Sequence, residues 1–332
     1  MPRLAMTRIV MPKLVLTVAL ATLTGIAAAS AQNYPTRTGT VIVPFAAGGP
    51  ADITGRIIAD VLSKALGQQF VVENVGGAGG ATGTTRAARA NPDGYTLALG
   101  HMGTHAAAVA LTPNLAYKPD VDFEPVSLTS TQPVVVVTRK GFPANNLREF
   151  VSYAKANAAK LNMAHAGVGS VSYTTCLLLN HEIGIKTTMV PFTGTAPALN
   201  AMLGEQVDYV CDPILGPLPH IRAGTLKAMA IATGKRHPAL PDVPTSAEGG
   251  LPNFQAAPFY AIFAPKGTPQ PIIEKLAAAI DKGLDDEVVR KRLLDLGAEI
   301  TEKQDRGPKP LAAMVKSEMA RLIPILKAAA AN

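Results

Sequence analysis

VPFAAGGPA, residues 43–51, joins an apolar, β-branched run (TVIVP, 40–44) to a helical pattern through two adjacent glycines, Gly48 and Gly49. Such a strand–turn–helix passage brings bare backbone N–H groups, and the partial positive charge of a helix start, to one point in space. The outline returns at 190–198 as VPFTGTAPA: Val-Pro-Phe, four small residues, then Pro-Ala. Each copy follows a predicted strand and opens a predicted helix. The echo therefore suggests two similarly built halves presenting matching loops to one cleft.

Outward from these loops, short runs rich in Val, Ile and aromatics alternate with helical patterns along nearly the whole chain. This is the pattern of an α/β protein built on parallel sheets. Strands are predicted at 40–44, 70–73, 95–100, 133–138, 161–166, 187–191, 207–211, 226–232 and 259–265. Ile53, Ile57, Ile58, Val61, Leu62 and Leu66 make one helical face that stops at Gly67, a C-cap residue. Asn146 and Glu149 form a capping box, Thr268-Pro269 opens another helix, and helices at 286–296 and 311–329 close the chain.

Arg3, Arg8 and Lys13 precede an apolar run at 14–29, and Ala29-Ser30-Ala31 is a small-x-small cleavage pattern. These are the parts of a secretory signal peptide over 1–31; an uncleaved anchor would need a longer run, of about 20 residues. Of the formal charge of +7, about +4 remains once the three leader cations are set aside. The cations are scattered and there is no Trp, which argues against nucleic-acid binding. The roughly 300 mature residues suit two domains. Cys176 and Cys211 are the only cysteines. In an oxidising compartment they form either one disulfide or two buried thiols.

The familiar catalytic and cofactor motifs are incomplete. VENVGGAGGATGTTRAARA (72–90) places Thr82 where GxGxxG needs its last glycine, and no Gly-Lys-Ser/Thr follows either glycine-rich segment, so neither a dinucleotide fingerprint nor a phosphate loop is present. Ser170 in AGVGSVSY (166–173) lacks the rest of GxSxG and reads either as a helix N-cap or as a ligand hydrogen-bond donor. HMGTH (101–105) has Met102 in place of the glutamate of HExxH and no third ligand nearby. No metal and no cofactor are expected. Four neutral strand-to-helix turns remain, at 45–52, 101–105, 166–173 and 192–197, with no Lys or Arg among them. Helix N-termini can hold a carboxylate without a cationic side chain, and α/β proteins bind ligands at the carboxyl ends of strands.

VPFAAGGPADITGR, VENVGGAGGATGT, NPDGYTLALG, DFEPVSL, AGVGS, VPFTGTAPAL, GEQVDYVCD, GKRHPALPDVPTSAEGGLP and APKGTPQ resemble, in order and spacing, the substrate-binding receptors of tripartite tricarboxylate transporters, the Bug family. The resemblance covers essentially the whole mature chain. It implies a periplasmic, two-lobed Venus flytrap (type II periplasmic-binding-protein fold) in which each lobe is a mixed sheet flanked by helices. Lobe 1 would be 32–135 plus 260–332 and lobe 2 136–259, with crossings near Val135–Arg139 and Ala257–Ala261. It further implies a non-enzymatic monomer that hands a small carboxylate, a dicarboxylate or an aromatic acid, to two integral membrane subunits.

The implied binding residues are Phe45, Ala46, Ala47, Gly48, Gly49 and Asp52 in the first loop, and His101 and Thr104 after the third strand. Opposite them stand Ala166, Gly167, Gly169 and Ser170, then Phe192, Thr193, Gly194, Thr195 and Ala196, and the acidic Asp212. Asp212 is either a cleft residue or a helix cap near Pro213. Departures from the family pattern at Val168, Tyr173, Phe192 and Thr193 make the far side of the cleft less polar, which suits a carboxylate with an apolar or aromatic body. A ligand-sensing adaptor for a membrane sensor and a periplasmic hydrolase using Ser170 are the alternatives.

Overall fold

The computed structural model describes residues 33–331; the leader expected over 1–31 lies outside the described residues. Two sheets organise the chain. The first contains β1 (Gly39–Val43), β2 (Phe70–Asn74), β3 (Thr96–His101), β4 (Phe123–Thr131), β10 (Phe259–Pro265) and β11 (Glu299–Ile300), in the order β11-β4-β10-β3-β1-β2. The second contains β5 (Val134–Arg139), β6 (Asn162–His165), β7 (Thr188–Pro191), β8 (Tyr209–Pro213) and β9 (Leu226–Ile231), in the order β7-β6-β8-β5-β9. Alternate strand residues face opposite layers, Val41 and Val43 on one side and Ile42 on the other, and both sides are covered.

Ten helices provide the cover among the described residues: α1 (Pro50–Leu66), α2 (Ala81–Ala88), α3 (Ala108–Leu111), α4 (Leu147–Asn157), α5 (Val171–Ile183), α6 (Thr195–Leu203), α7 (Leu218–Arg222), α8 (Gln270–Asp285), α9 (Glu287–Asp295) and α10 (Pro308–Ala331). Their ends follow local chemistry. Pro50 opens α1, where its missing N–H costs nothing, and Gly67 ends it at φ 72°, a conformation a Cβ would strain. Asn146 caps α4 by accepting from the Glu149 N–H at 3.0 Å. The helix expected to open at Thr268 starts at Gln270, since the first carbonyl to accept a helical bond is Pro269 O, from the Ile273 N–H at 3.1 Å.

Taken from the β2 and β7 edges, the first five strands of the two sheets have the same pattern, and β11 adds a sixth to the first sheet. Each has three parallel strands, then one antiparallel strand contributed by a chain crossing, then a fifth. β1 therefore corresponds to β6 and β3 to β8. This corrects the expectation drawn from the echo. VPFTGTAPA follows β7, an edge strand that corresponds to β2, so the true counterpart of the 45–49 loop is the 166–170 loop after β6. The likeness of 43–51 to 190–198 reflects two loops that meet, not two loops in equivalent places.

The chain passes from the first sheet to the second between Thr131 and Val134 and returns between Ile231 and Phe259. The two passages are tied together by Gln132 N–H donating to Pro258 O at 3.1 Å and Val134 N–H donating to Ala256 O at 2.9 Å. β4 escaped the sequence patterns because Pro125, Ser127, Thr129 and Ser130 interrupt it. It is nevertheless buried, with Thr129 donating to Tyr260 O at 2.9 Å and Ser127 accepting from Gly307 N–H at 3.1 Å.

Cys176 of α5 and Cys211 of β8 are joined as a disulfide that closes a loop of sequence separation 35. Cross-linking a loop of this size restricts the unfolded chain and is worth about 2–4 kcal/mol. Replacing both cysteines by serine is expected to lower the unfolding free energy by about that amount, measured by urea denaturation. An unchanged midpoint would show that the bond contributes nothing to stability.

Candidate functional site

The carboxyl ends of β1, β3, β6 and β8 face one another across the seam between the sheets. They enclose a cavity of about 20 Å³ lined by Phe45, Gly49, Pro50, Ala51, His101, Ala166, Ser170, Val171, Ser172, Thr195, Asp212, Pro213 and Tyr260. Three helices start on its wall: α1 at Gly49–Ala51, α5 at Ser170–Ser172 and α6 at Thr195. Their first-turn N–H groups have no partner within the helix, and each start carries partial positive charge. No Lys or Arg lines the cavity. It can therefore receive an anion through backbone amides and hydroxyls alone.

The first loop is held from behind. Asp52 Oδ2 accepts from the Gly48 N–H at 2.9 Å and from Arg56 Nε at 3.0 Å, and Oδ1 accepts from Asn74 Nδ2 at 2.8 Å. Asn74 also donates to Phe45 O at 3.1 Å. Burial alone would raise the Asp52 pKa, but these hydrogen bonds outweigh it and hold the carboxyl below its usual range. Its oxygens are engaged by Gly48, Arg56 and Asn74, so Asp52 shapes the loop and does not line the cavity.

His101 ends β3 and stacks on Phe45 at 5.1 Å between ring centroids. Its Nδ1 accepts from the Gly103 and Thr104 N–H groups at 3.0 and 3.3 Å, which places the ring proton on Nε2. Burial pushes its pKa down to about 3, so the imidazole is neutral. Thr104 sits behind it, with its hydroxyl accepting from the His101 N–H at 3.2 Å, and does not reach the cavity. Across the seam, Ser170 caps α5, its Oγ accepting from the Tyr173 N–H at 3.2 Å. Ser172 Oγ accepts from the Ala166 N–H at 3.0 Å, which pins the turn that corresponds to the first loop.

Asp212 is the counterpart of His101, at the end of β8, and is 1 % exposed. Its Oδ1 accepts from the Thr195 hydroxyl at 3.0 Å, while Oδ2 is buried with no partner. Burial raises its pKa to about 8, against the opposing pull of the Thr195 hydrogen bond.

The seam is shut by backbone. Ala46 N–H donates to Thr193 O at 3.1 Å, and Gly48 comes up to Ala196, where an added Cβ would be 3.5 Å from the Ala196 Cβ. Gly194 meets Ala46, Gly167 meets Gly79, and Gly169 meets Gly103 and Ala108. A Cβ on Gly79, at φ +63°, would fall 1.7 Å from Val168 O, and one on Gly167 2.6 Å from Gly79 N, so only glycine lets these two loops touch.

Of the expected residues, Phe45, Gly49, His101, Ala166, Ser170, Thr195 and Asp212 stand around the cavity. Ala46, Gly48, Gly167, Gly169, Thr193, Gly194 and Ala196 form the seam, and Ala47 is exposed. Phe192 lies farther out. With Gly77–Gly79, Leu111–Pro113, Ala166–Val168, Thr193 and Pro197 it lines a largely apolar outer groove of about 790 Å³. Val168, Phe192 and Thr193 thus shape this groove and not the inner cavity.

Pro50, Ala51, Val171 and Ser172 also line the cavity, within the turns expected at 45–52 and 166–173, whereas Pro213 and Tyr260 line it from outside those turns. Tyr260 pairs with His101 in register between β10 and β3. Its phenol in the apolar run FYAIFAP was the one available signal.

The sequence profile of the tripartite tricarboxylate transporter family receptor matches residues 54–330. MatC of Rhodopseudomonas palustris, solved with malate bound, is 50% identical, with a TM-score of 0.86 over 88% of this chain and 100% of its own. The periplasmic binding protein BugD is 40% identical, with a TM-score of 0.86 over 90% of this chain and 99% of its own. A further R. palustris protein, solved with adipate, is 31% identical, with a TM-score of 0.85 over 90% of this chain and 98% of its own. These neighbours share the two-lobed, helix-flanked arrangement described above.

The folded chain keeps a proton on Asp212 up to about pH 8, whereas the unfolded chain releases it above about pH 4. The stability tied to that proton is complete below the unfolded value and is lost as pH rises through the folded one. Wild type should therefore lose stability relative to Asp212→Asn between pH 5 and pH 8 in urea melts. Parallel pH profiles for the two proteins would contradict a neutral Asp212.

Proposed function

The chain belongs to the tripartite tricarboxylate transporter receptor family, and on that footing we propose that it is a non-enzymatic periplasmic solute-binding receptor for a small organic carboxylate. The observation that carries this reading is the meeting of three helix N-termini on one cavity that no cation lines. A carboxylate placed there takes N–H hydrogen bonds and helix-dipole stabilisation without a tight ion pair, so capture stays reversible. MatC was solved with malate and its R. palustris relative with adipate, both small dicarboxylates.

A cavity of about 20 Å³ has room for about one water, so a ligand enters only when the seam opens. The lobes proposed to move are the two sheets with their helices, divided at Gln132–Pro133 and Ala257–Pro258, where the crossing passages are tied together. Opening breaks the Ala46–Thr193 contact, and the ligand shifts the balance by binding the shut form better. The carboxylate would sit at the helix N-termini and the remaining body toward the apolar outer groove, which Ala166 shares with the cavity. That arrangement suits an acid with an apolar or aromatic body as well as a short dicarboxylate.

A hydrolase would need a base beside Ser170. Ser170 Oγ is engaged by the Tyr173 N–H and Ser172 Oγ, and His165 Nδ1 accepts from the Gly167 N–H at 3.1 Å, a use that does not serve a nucleophile. Release of the ligand unchanged to two integral membrane subunits completes the proposed role.

In a thermal-shift and calorimetric screen of malate, succinate, adipate, citrate and benzoate, at least one acid should stabilise the protein by about 2.7 kcal/mol at a hundredfold excess over its Kd. No response to any acid would refute the receptor, and tight binding of citrate alone would remove the apolar-body preference. Gly49 has φ −89° and ψ 175°, a backbone any residue adopts, but its Cβ would lie 3.3 Å from the Thr195 Cβ across the seam. Gly49→Val should therefore wedge the seam open, lowering affinity at least about tenfold while costing roughly 1 kcal/mol or less in folding. Equal losses in both would make the loop purely structural.

A further inference from the structure

Asp212 presents a conflict within this site. An anion drawn to the three helix N-termini meets a carboxyl group already there, and two carboxylates at close range do not both ionise. The carboxyl has one oxygen occupied by the Thr195 hydroxyl at 3.0 Å and the other, Oδ2, buried with no partner.

No hydrogen-bond donor partners Oδ2, and no Lys or Arg lines the cavity beside it. A Cβ on Gly216 would lie 2.8 Å from Oδ2 and 3.3 Å from Pro50 Cγ, which puts the ring of Pro50 alongside. Pro50 is the one residue in the α1 first turn without an N–H to donate. The other groups facing this point are equally neutral. His101 on β3 is uncharged, Tyr260 on β10 is a phenol kept protonated by burial, and Val135 is the β5 residue in register. His165 on β6 is used by the Gly167 N–H, Cys211 and Cys176 are bonded to each other, and Arg56 on α1 is taken by Asp52. An unpartnered acceptor in such a place carries a large penalty, whereas a proton on it becomes a hydrogen-bond donor.

We propose that Asp212 recognises the ligand as a carboxylic acid, its Oδ2 proton hydrogen-bonding to one ligand carboxylate oxygen while helix N–H groups hold the other, so that anion and proton are bound together. This rests on the carboxylate-receptor reading and narrows it. Proton transfer apart, no covalent bond is made or broken: the proton stays on Asp212, and where the free protein has lost it, a buffer acid or water gives one to Oδ2 on binding and is left as its conjugate base. The site then selects simple carboxylates and discriminates against acids whose ammonium group would face Asp212, since a protonated carboxyl offers that group no countercharge.

The test is calorimetry on the purified protein with malate, adipate and benzoate from pH 6.5 to 9.5, in buffers of low and high ionisation enthalpy. Each acid that binds should do so with a Kd that is flat near neutrality and rises toward about tenfold per pH unit at the alkaline end. Buffer dependence there should report about one proton taken up per ligand. Asp212→Asn retains an N–H donor and should bind within about tenfold of wild type at pH 7, without the alkaline rise. Asp212→Ala should lose about a hundredfold, the scale of a hydrogen bond to a charged group.

A Kd independent of pH in the wild type would overturn the proposal and leave the receptor standing. So would a Kd that tightens with pH and is abolished in Asp212→Asn, the behaviour of an ionised aspartate gripping a ligand donor. Failure of all three acids to bind at any pH would overturn the proposal, and if succinate and citrate fail as well the receptor falls with it.

Discussion

Backbone must meet backbone across the seam, and most of what is distinctive in this protein follows from that constraint. The Ala46–Thr193 hydrogen bond joins two main chains directly, and Gly79 and Gly167 pass each other with no room for a Cβ. Side chains between the lobes would hold the helix starts apart. With glycines there, the first turns of α1, α5 and α6 converge on one small volume, and their unpaired N–H groups act together. A site made this way needs no cation: an anion placed there would be balanced by helix dipoles beside one titratable neighbour.

The two sheets explain why that neighbour is where it is. β3 and β8 occupy the same place in their sheets, so His101 and Asp212 face each other from corresponding strand ends. Both are buried and uncharged, for different reasons. Two backbone N–H groups occupy His101 Nδ1 and burial removes its charge, whereas Asp212 stays neutral because nothing around its free oxygen supports an ionised form. The disulfide between Cys176 and Cys211 ties the capped helix α5 to the Asp212 strand, so two walls of the cavity are fixed to each other within one lobe.

Much of this was legible in the residues. All nine strands expected from apolar runs are present, each within two residues of its expected ends, because alternating burial imposes a period that patterning reveals. The Asn146 cap, the Gly67 stop and the role of Ser170 as a cap also rest on neighbours close in sequence. Others were hidden for a common reason. β4 carries polar residues whose partners, Tyr260 and Gly307, lie more than a hundred positions away. Tyr260 reaches the cavity only because β10 is inserted beside β3. Asp52 had the type and position of a ligand group, yet its oxygens turn toward Gly48, Arg56 and Asn74.

The echo between 43–51 and 190–198 shows the division most clearly. By itself the sequence determined that both stretches are neutral, small-residue turns between a strand and a helix, since turn chemistry and helix starts are local. Which turn corresponds to which was decided only by tertiary structure, where strand order makes 166–170 the counterpart of 45–49. The same holds for the charge state of Asp212. Ionisation depends on every group within a few ångströms, and here those groups come from β3, β10, α1 and α6, segments that only folding brings together.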